Sequence, residues 1–166
     1  MALDGAPGAL DLTGFRVVPQ VGGDLGTRLA AAFAGAMAGT AAPTLLIGMD
    51  TPQVTADLLV RCAERLEFGG PGTAVLGTAP DGGWWALGLH SADGAAVLAD
   101  VPMSREDTAV RTREALEAIG LLVLDLPELT DIDHFPDALA VAAQCPPDSR
   151  TARVVASVAA AVGSRT

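Results

Sequence analysis

The sequence predicts an α/β fold: a Rossmann-like, three-layer domain with a mostly parallel sheet, spanning residues 1–166. Short apolar runs alternate with segments whose apolar residues recur every four positions, the spacing of one helix face. Such alternation is typical of a mainly parallel sheet covered by helices. Hydrophobic residues make up 50% of the chain and charged residues 18%, so the chain is expected to form a globular core.

Five strands are predicted in chain order, at residues 15–19, 43–49, 73–79, 84–89 and 121–127. The run PTLLIGM at 43–49 is apolar at successive positions, which is typical of a central parallel strand. Helices are expected between these strands, at 105–119, at 135–143 and at the C terminus, where residues 146–166 should form a helix packed on the domain. Their apolar stripes comprise Leu25, Leu29, Phe33 and Met37; Val54, Leu58, Cys62 and Leu66; and Val154, Val158 and Val162.

Two helix starts are predicted from capping residues. Thr51 offers a hydroxyl cap and Pro52 suits the first position of the helix after PTLLIGM. Ser104 and Asp107 have the spacing of a capping box for the helix at 105–119.

The charge balance limits the classes of partner. The formal net charge is −10 and the basic residues are scattered, which argues against general binding to nucleic acid or anionic membranes. An acidic protein can still bind a nucleotide through a divalent metal ion. The apolar tail VVASVAAAV is far shorter than the roughly 20 residues of a membrane span. No signal peptide opens the chain, and Cys62 and Cys145 form no paired motif, so a cytoplasmic protein with reduced thiols is expected.

Asp50 follows a strand in LLIGMDTPQ and has two interpretations. It can be a carboxylate at a helix entry, favoured by the helix dipole. Since Thr51 is expected to cap that helix, Asp50 is also free to bind a ligand beyond the C-terminal end of a sheet strand.

The segment DGGWW also has two interpretations. Asp81, Gly82 and Gly83 are typical of a tight hairpin turn, and two glycines also allow a ligand to approach the backbone. Trp84 and Trp85 point to opposite faces of a strand, so one is expected in the core and the other beside a pocket.

In the segment TDIDHF, Asp131 and Asp133 lie two residues apart in a predicted loop. One interpretation is helix capping by Asp133. The other is a site for Mg²⁺ or Mn²⁺, completed by Asp50, because hard divalent cations prefer carboxylate oxygens. The isolated His90 and His134 do not have zinc-ligand spacing.

The order of five segments resembles a bacterial family of GT-A-like transferases. These segments are GGDLGTRL, IGMDTPQ, DGGWWALGL, VPMSREDTAVRTREAL and TDIDHFPDAL. The family is described as glycosyltransferase-like or selenodomain-associated and is akin to the nucleotide-diphospho-sugar transferase superfamily. The resemblance extends over about residues 15–162.

This resemblance implies glycosyl or nucleotidyl transfer from an activated nucleotide to a small-molecule acceptor, with Mg²⁺ or Mn²⁺ as cofactor. By position in the family motifs, Asp50 and Asp133 match metal ligands, with Asp131 as the alternative to Asp133. Asp50 and Asp81 are the expected catalytic residues. The residues that match nucleotide- or substrate-binding positions are Gly22, Gly23, Asp24, Arg28, Gly82, Gly83 and Trp84.

The sequence departs from the family pattern at its start. Family members begin with a strand and a phosphate-binding loop, whereas MALDGAPG matches the tail of the second strand. The resemblance therefore implies a domain that lacks its first strand and phosphate loop and has an open sheet edge beside LLIGM. The sequence leaves three alternatives open: the start was assigned late, the chain was cut, or this member has lost the segment. The alternative to an enzyme is a non-catalytic binding or assembly module, dimeric through that edge.

Overall fold

A four-stranded sheet with helices on both faces organises the computed structural model, which describes residues 1–6, 8–40 and 42–163. The strands are β1 (Ala2–Leu3), β2 (Val18–Pro19), β3 (Thr44–Ile47), β4 (Thr73–Thr78), β5 (Trp84–Leu89) and β6 (Leu122–Asp125). The helices are α1 (Leu25–Met37), α2 (Ala56–Gly69), α3 (Ala92–Ala95), α4 (Thr108–Ala118), α5 (Phe135–Ala142) and α6 (Arg150–Gly163), with a 3₁₀ helix at Ala96–Asp100.

The sheet is mixed, with the strand order β3-β5-β4-β6. β4 pairs in parallel with β6, whereas β5 is antiparallel to both β3 and β4. β3, β4 and β6 therefore share one direction, and β5 reverses because it is the second strand of a hairpin with β4. The predicted α/β class is confirmed, but the sheet is mixed rather than mostly parallel, because β5 pairs antiparallel with both of its neighbours. The sequence had correctly indicated the turn that creates the hairpin.

β3 lies at the edge of this sheet, so the prediction of a central parallel strand was wrong, whereas the open edge expected beside LLIGM is present in the described residues. Its one neighbour in the described part of the chain is β5, and that pairing is antiparallel. The apolar run has another cause, since helices cover both faces of the sheet. Leu46 packs against the core on the α1 side, and Leu45 packs against the core on the α2 side.

Two hydrophobic clusters fill the layers on either side of the sheet. On the α1 side, Phe33 is fully buried against sheet residues that include Leu76 and Leu87. On the other side, the α2 stripe is buried against Val75, Trp85 and Ala86. Burial of the stripe Leu58, Cys62 and Leu66 confirms the four-residue spacing that predicted α2.

Helix α2 begins four residues later than predicted. Its N-cap is Thr55, whose hydroxyl oxygen accepts a hydrogen bond from the Leu58 amide at 3.2 Å. Thr51 is buried and belongs to the preceding turn, where its carbonyl accepts from the Val54 amide at 3.1 Å. The cap assigned to Thr51 was wrong because both threonines have suitable side chains, and the turn leaves only Thr55 next to the first helical residue.

The capping box predicted for α4 does not form. Asp107 is the N-cap residue, but its carboxylate makes ion pairs with Arg105 and Arg111 instead of capping an amide. Ser104 has a positive φ of 58°, outside the geometry of an N-cap. The helix therefore begins at Thr108 rather than near Arg105.

The two ends of the chain are only lightly packed. The strand predicted at 15–19 is reduced to β2, which pairs with β1 in a separate two-stranded sheet. Helix α6 contacts α5, and none of the residues in α6, all of which are described, is buried. Its stripe Val154, Val158 and Val162 is roughly half-exposed. Residues 164–166 of the predicted C-terminal segment lie outside the described residues.

Candidate functional site

Three loops meet beyond the carboxyl ends of β3, β4 and β6, because these three strands run in the same direction. They are the β3–α2 loop (48–55), the β4–β5 turn (79–83) and the loop after β6 (126–134). Ligands of open α/β sheets bind beyond the carboxyl ends of the strands. The aspartates predicted to be catalytic or to bind the metal, Asp50, Asp81, Asp131 and Asp133, all lie in these loops.

The loop after β6 is held against the sheet by long-range hydrogen bonds. The amides of Leu126 and Leu129 donate to the carbonyls of Leu76 and Thr78 at 2.9 Å and 3.2 Å, so the loop continues along β4. The buried indole of Trp85 donates to the Pro127 carbonyl at 2.9 Å. These contacts fix where the following acidic segment leaves the sheet.

The β3–α2 loop binds the same segment on both sides of Asp131. The Gln53 side-chain amide donates to the Thr130 carbonyl at 2.6 Å. The Ile132 amide donates to the Asp50 carbonyl at 3.1 Å. The two loops are therefore joined at the residues directly before and after Asp131.

The β4–β5 turn is stabilised by its own aspartate. One carboxylate oxygen of Asp81 accepts a hydrogen bond from the Gly83 amide at 2.8 Å, as in an Asx turn. Gly82 has a φ of 90°, and a Cβ added there would lie 1.9 Å from the Glu106 carbonyl oxygen. The close neighbour that requires a glycine at 82 is thus another backbone segment of the same chain.

Three carboxylates converge at this end of the sheet. Asp81, Asp131 and Asp133 each offer one oxygen, and these three oxygens lie within 4.8 Å of one another. Asp81 and Asp133 are exposed, whereas Asp131 is half-buried. Carboxylate oxygens are the donors preferred by Mg²⁺ and Mn²⁺, so the set fits the predicted cation.

Crowding perturbs the most buried member of this acidic cluster. Burial raises the pKa of Asp131 above its ordinary value, and the negative charges of Asp81, Asp133 and Asp50 raise it further. Ionisation of Asp131 is therefore less favourable in the folded protein than in the unfolded chain. A divalent cation would remove that repulsion, which is a second reason why the cluster fits a metal ion.

Asp50 lies beside this cluster but is not one of the three converging residues. Its side chain is exposed and folds back over Gly48, where an added Cβ would lie 2.7 Å from the carboxylate oxygen. Its charge still reaches Asp131. The structure therefore brings Asp133 together with Asp131 and Asp81, and it places the predicted partner Asp50 at the border of the cluster.

Comparison with protein families gives a match over residues 3–105, more than half of the chain. The matching family is described as "Uncharacterized protein conserved in bacteria (DUF2064)". The chain belongs to the DUF2064 family. A comparison with curated proteins gives no significant match.

The fold of this DUF2064 protein is similar to a crystal structure from Desulfovibrio desulfuricans G20. That protein is named as a candidate nucleotide-diphospho-sugar transferase. The TM-score is 0.78, with 24% sequence identity over 96% of this chain and 74% of that chain. The predicted nucleotide-diphospho-sugar transferase fold is thereby confirmed.

The two tryptophans have different environments in the DUF2064 chain. Trp85 is 1% exposed and is the core member of the pair. Trp84 is half-buried, packs at the border of the α1-side core and donates its indole N–H to the Thr112 hydroxyl at 3.1 Å. The core contact and this hydrogen bond hold the Trp84 ring in place.

The predicted nucleotide loop has local structural roles. Asp24 is the N-cap of α1 and accepts from the Thr27 amide at 2.8 Å. Gly23 has a φ of 113°, which allows the turn into α1. Arg28 donates to Gln20 and pairs with Asp4 at 3.3 Å. The hydrogen bonds that the structure gives to the side chains of Asp24 and Arg28 thus remain within the N-terminal region.

Sequence reasoning did not identify Gln53 as part of this site. Gln53 is 8% exposed and Thr51 is 5% exposed, and both carry a buried side-chain oxygen with no hydrogen-bond partner in the described chain. Burial of an unpaired polar group costs about 1–3 kcal/mol. The available signal was that two polar residues, Thr51 and Gln53, follow the aspartate at the end of the strand. From the sequence, however, helix capping was already a sufficient explanation for Thr51.

In the described residues, no helix is both long enough and apolar enough to cross a membrane.

Proposed function

We propose that this chain is a metal-dependent transferase of the nucleotide-diphospho-sugar type, transferring a glycosyl or nucleotidyl group from an activated nucleotide to a small-molecule acceptor. The observation that carries this proposal is the convergence of Asp81, Asp131 and Asp133 within 4.8 Å, where three loops meet at one end of the sheet. The fold shared with the Desulfovibrio protein supports the same class.

Asp81, Asp131 and Asp133 would hold Mg²⁺ or Mn²⁺ as the acidic cluster. When bound, the cation supplies positive charge that neutralises a diphosphate leaving group. Asp81 keeps the site rigid, since one of its oxygens anchors the β4–β5 turn while the other remains available. Asp50 adds negative charge at the border and is proposed as a further ligand, directly or through water.

The acceptor would lie against the β4–β5 turn, bordered by Gly82, Gly83 and the face of Trp84. The nucleotide would lie toward the loop of Gly22, Gly23, Asp24 and Arg28, as the family resemblance implies. The same ordered motifs favour the selenodomain-associated subtype. The free, buried Cys62 and Cys145 support a reducing cytoplasmic location.

Calorimetry tests this proposal directly. Mn²⁺ and nucleotide sugars are titrated into wild type, Asp131→Asn and Asp50→Ala, with Asp93→Asn as the control. Asp93 is an exposed carboxylate in α3, which follows the opposite end of β5. We expect metal-dependent nucleotide binding by wild type and the control, lost in Asp131→Asn and weakened in Asp50→Ala. Nucleotide binding that is unaffected by the metal, by Asp131→Asn and by Asp50→Ala would refute the proposal.

A second candidate function is a non-catalytic assembly module that dimerises through β3. The observation in favour is that, within residues 1–6, 8–40 and 42–163, β3 has a neighbouring strand on one side only, and its apolar residue Ile47 is 40% exposed. Open edge strands are templates for pairing with another chain. Sedimentation analysis of wild type, Ile47→Lys and the control Val60→Lys tests this: a dimer lost only in Ile47→Lys supports assembly, and a wild-type monomer refutes it.

A further inference from the structure

Asp131 is held from both sides by the β3–α2 loop. The carbonyl of Thr130 accepts from the Gln53 side chain at 2.6 Å, and the amide of Ile132 donates to the Asp50 carbonyl at 3.1 Å. These partners are separated by 77 and 82 residues in sequence, so they are tertiary contacts rather than local turn bonds. The pair of bonds fixes the backbone on either side of the half-buried carboxylate.

Gln53 is an unexpected residue for its environment. It is 8% exposed, and its amide oxygen is buried without a hydrogen-bond partner in the described residues. Burying a polar atom without a partner is unfavourable, so an apolar side chain of similar size would fill this position better if only packing mattered. The nitrogen of the same side-chain amide does have a partner, because its N–H donates to the Thr130 carbonyl.

We propose that Gln53 is a positioning residue for the acidic cluster: its hydrogen bond to Thr130, together with the Ile132–Asp50 bond, sets the direction of Asp131 toward Asp81 and Asp133. This inference rests on the proposed metal site and deepens it. Residues that orient metal ligands act on affinity, because free ligands must otherwise be ordered when the ion binds.

A residue that positions Asp131 can be distinguished by substitution from a residue that only stabilises the fold. Gln53→Met keeps the approximate volume and removes both the donor and the unpaired oxygen. The Thr130 carbonyl loses a partner, while the buried orphan oxygen disappears, so the two effects on stability oppose each other. For the orientation of Asp131, in contrast, no second effect offsets the loss of the hydrogen bond to Thr130.

The first experiment measures Mn²⁺ affinity and urea unfolding of wild type, Gln53→Met and Gln53→Leu. The control is Thr73→Val at the start of β4, which removes another buried side-chain hydrogen bond, from Thr73 to the Gly70 carbonyl at 2.8 Å. We expect about tenfold weaker Mn²⁺ binding in both Gln53 variants with a nearly unchanged metal-free unfolding midpoint. The control should lower the midpoint and leave Mn²⁺ affinity unchanged.

The second experiment needs no metal. Amide hydrogen exchange in metal-free protein is compared at Ile132, which completes the attachment, and at Leu126, whose bond to Leu76 is independent of Gln53. We expect Gln53→Met to accelerate exchange at Ile132 and not at Leu126.

Three results would overturn the inference: unchanged Mn²⁺ affinity, unchanged exchange at Ile132, or Gln53 variants that are unfolded without metal, since the last would assign Gln53 to the fold alone. If wild type binds no Mn²⁺, the proposed function fails, and the exchange at Ile132 still decides whether Gln53 orders this segment.

Discussion

Replacing Asp131 with asparagine tests the electrostatics of the acidic cluster. The two neighbouring carboxylates of Asp81 and Asp133 have oxygens within 4.8 Å of Asp131. At that distance, two unit charges repel by about 0.9 kcal/mol in water. Physiological salt, with a Debye length of about 8 Å, reduces this to roughly 0.5 kcal/mol for each pair. Asparagine keeps the shape and removes both repulsions, which is a relief of about 1 kcal/mol.

The expected readout is thermal unfolding in EDTA at pH 7. One kcal/mol corresponds to a rise of about 2–4 °C for a domain of this size, so Asp131→Asn should melt that much higher than wild type. Saturating Mn²⁺ should reverse the order, because a ligand at 100 times its Kd stabilises the folded state by about 2.7 kcal/mol. Asp131→Asn should lack most of that gain, whereas the control Asp93→Asn should keep it.

The pH dependence has a definite sign. The pKa of Asp131 is raised in the folded protein, so the native state binds this proton more tightly than the unfolded chain does. Relative to Asp131→Asn, wild type is therefore most stable at acid pH, and it loses this stability as pH rises through the raised pKa of Asp131. The advantage of Asp131→Asn in EDTA should disappear as pH falls toward 4. A variant that melts below wild type at pH 7 in EDTA, or that gains as much from Mn²⁺, would refute the reasoning.

Three substitutions test how the loops are built, each by urea unfolding. Gly82→Ala should cost more than about 2 kcal/mol, because a Cβ at a φ of 90° would lie 1.9 Å from the Glu106 carbonyl; a loss below 0.5 kcal/mol would contradict that packing. Thr55→Ala should cost about 1 kcal/mol as the loss of the α2 N-cap, whereas Thr55→Ser should be nearly neutral. Trp85→Phe should cost about 1–3 kcal/mol through the lost bond to Pro127 and the smaller ring, and wild-type stability would contradict the core assignment.

Much of the fold was accessible from the sequence because its signals are local. The four-residue spacing of Leu58, Cys62 and Leu66 predicted the buried face of α2, which the structure confirms. Asp81-Gly82-Gly83 indicated a turn between two strands, since aspartate can accept from its own turn and glycine tolerates a positive φ. These properties belong to neighbouring residues and do not depend on the rest of the chain.

Strand neighbours and helix starts were decided by the tertiary structure. An apolar run such as LLIGM indicates that both faces are covered, but it does not indicate which strands pair with its edges; β5 reached β3 by folding back from β4. Thr51 and Thr55 carry the same side chain, and the turn between them determined which one caps α2. The Asp107 carboxylate does not cap an amide of α4, because it forms ion pairs with Arg105 and Arg111.

The candidate site divides in the same way. From sequence alone it follows that Asp50 and the later aspartates come directly after predicted strands or turns, because strand ends and turns are local properties. The convergence of Asp131 and Asp133 with Asp81, and the position of Asp50 at the border, follow from the three-dimensional arrangement. That choice depends on how three loops lie against one another, and hydrogen bonds such as that from Gln53 to Thr130, across 77 residues, have no signature in a single sequence.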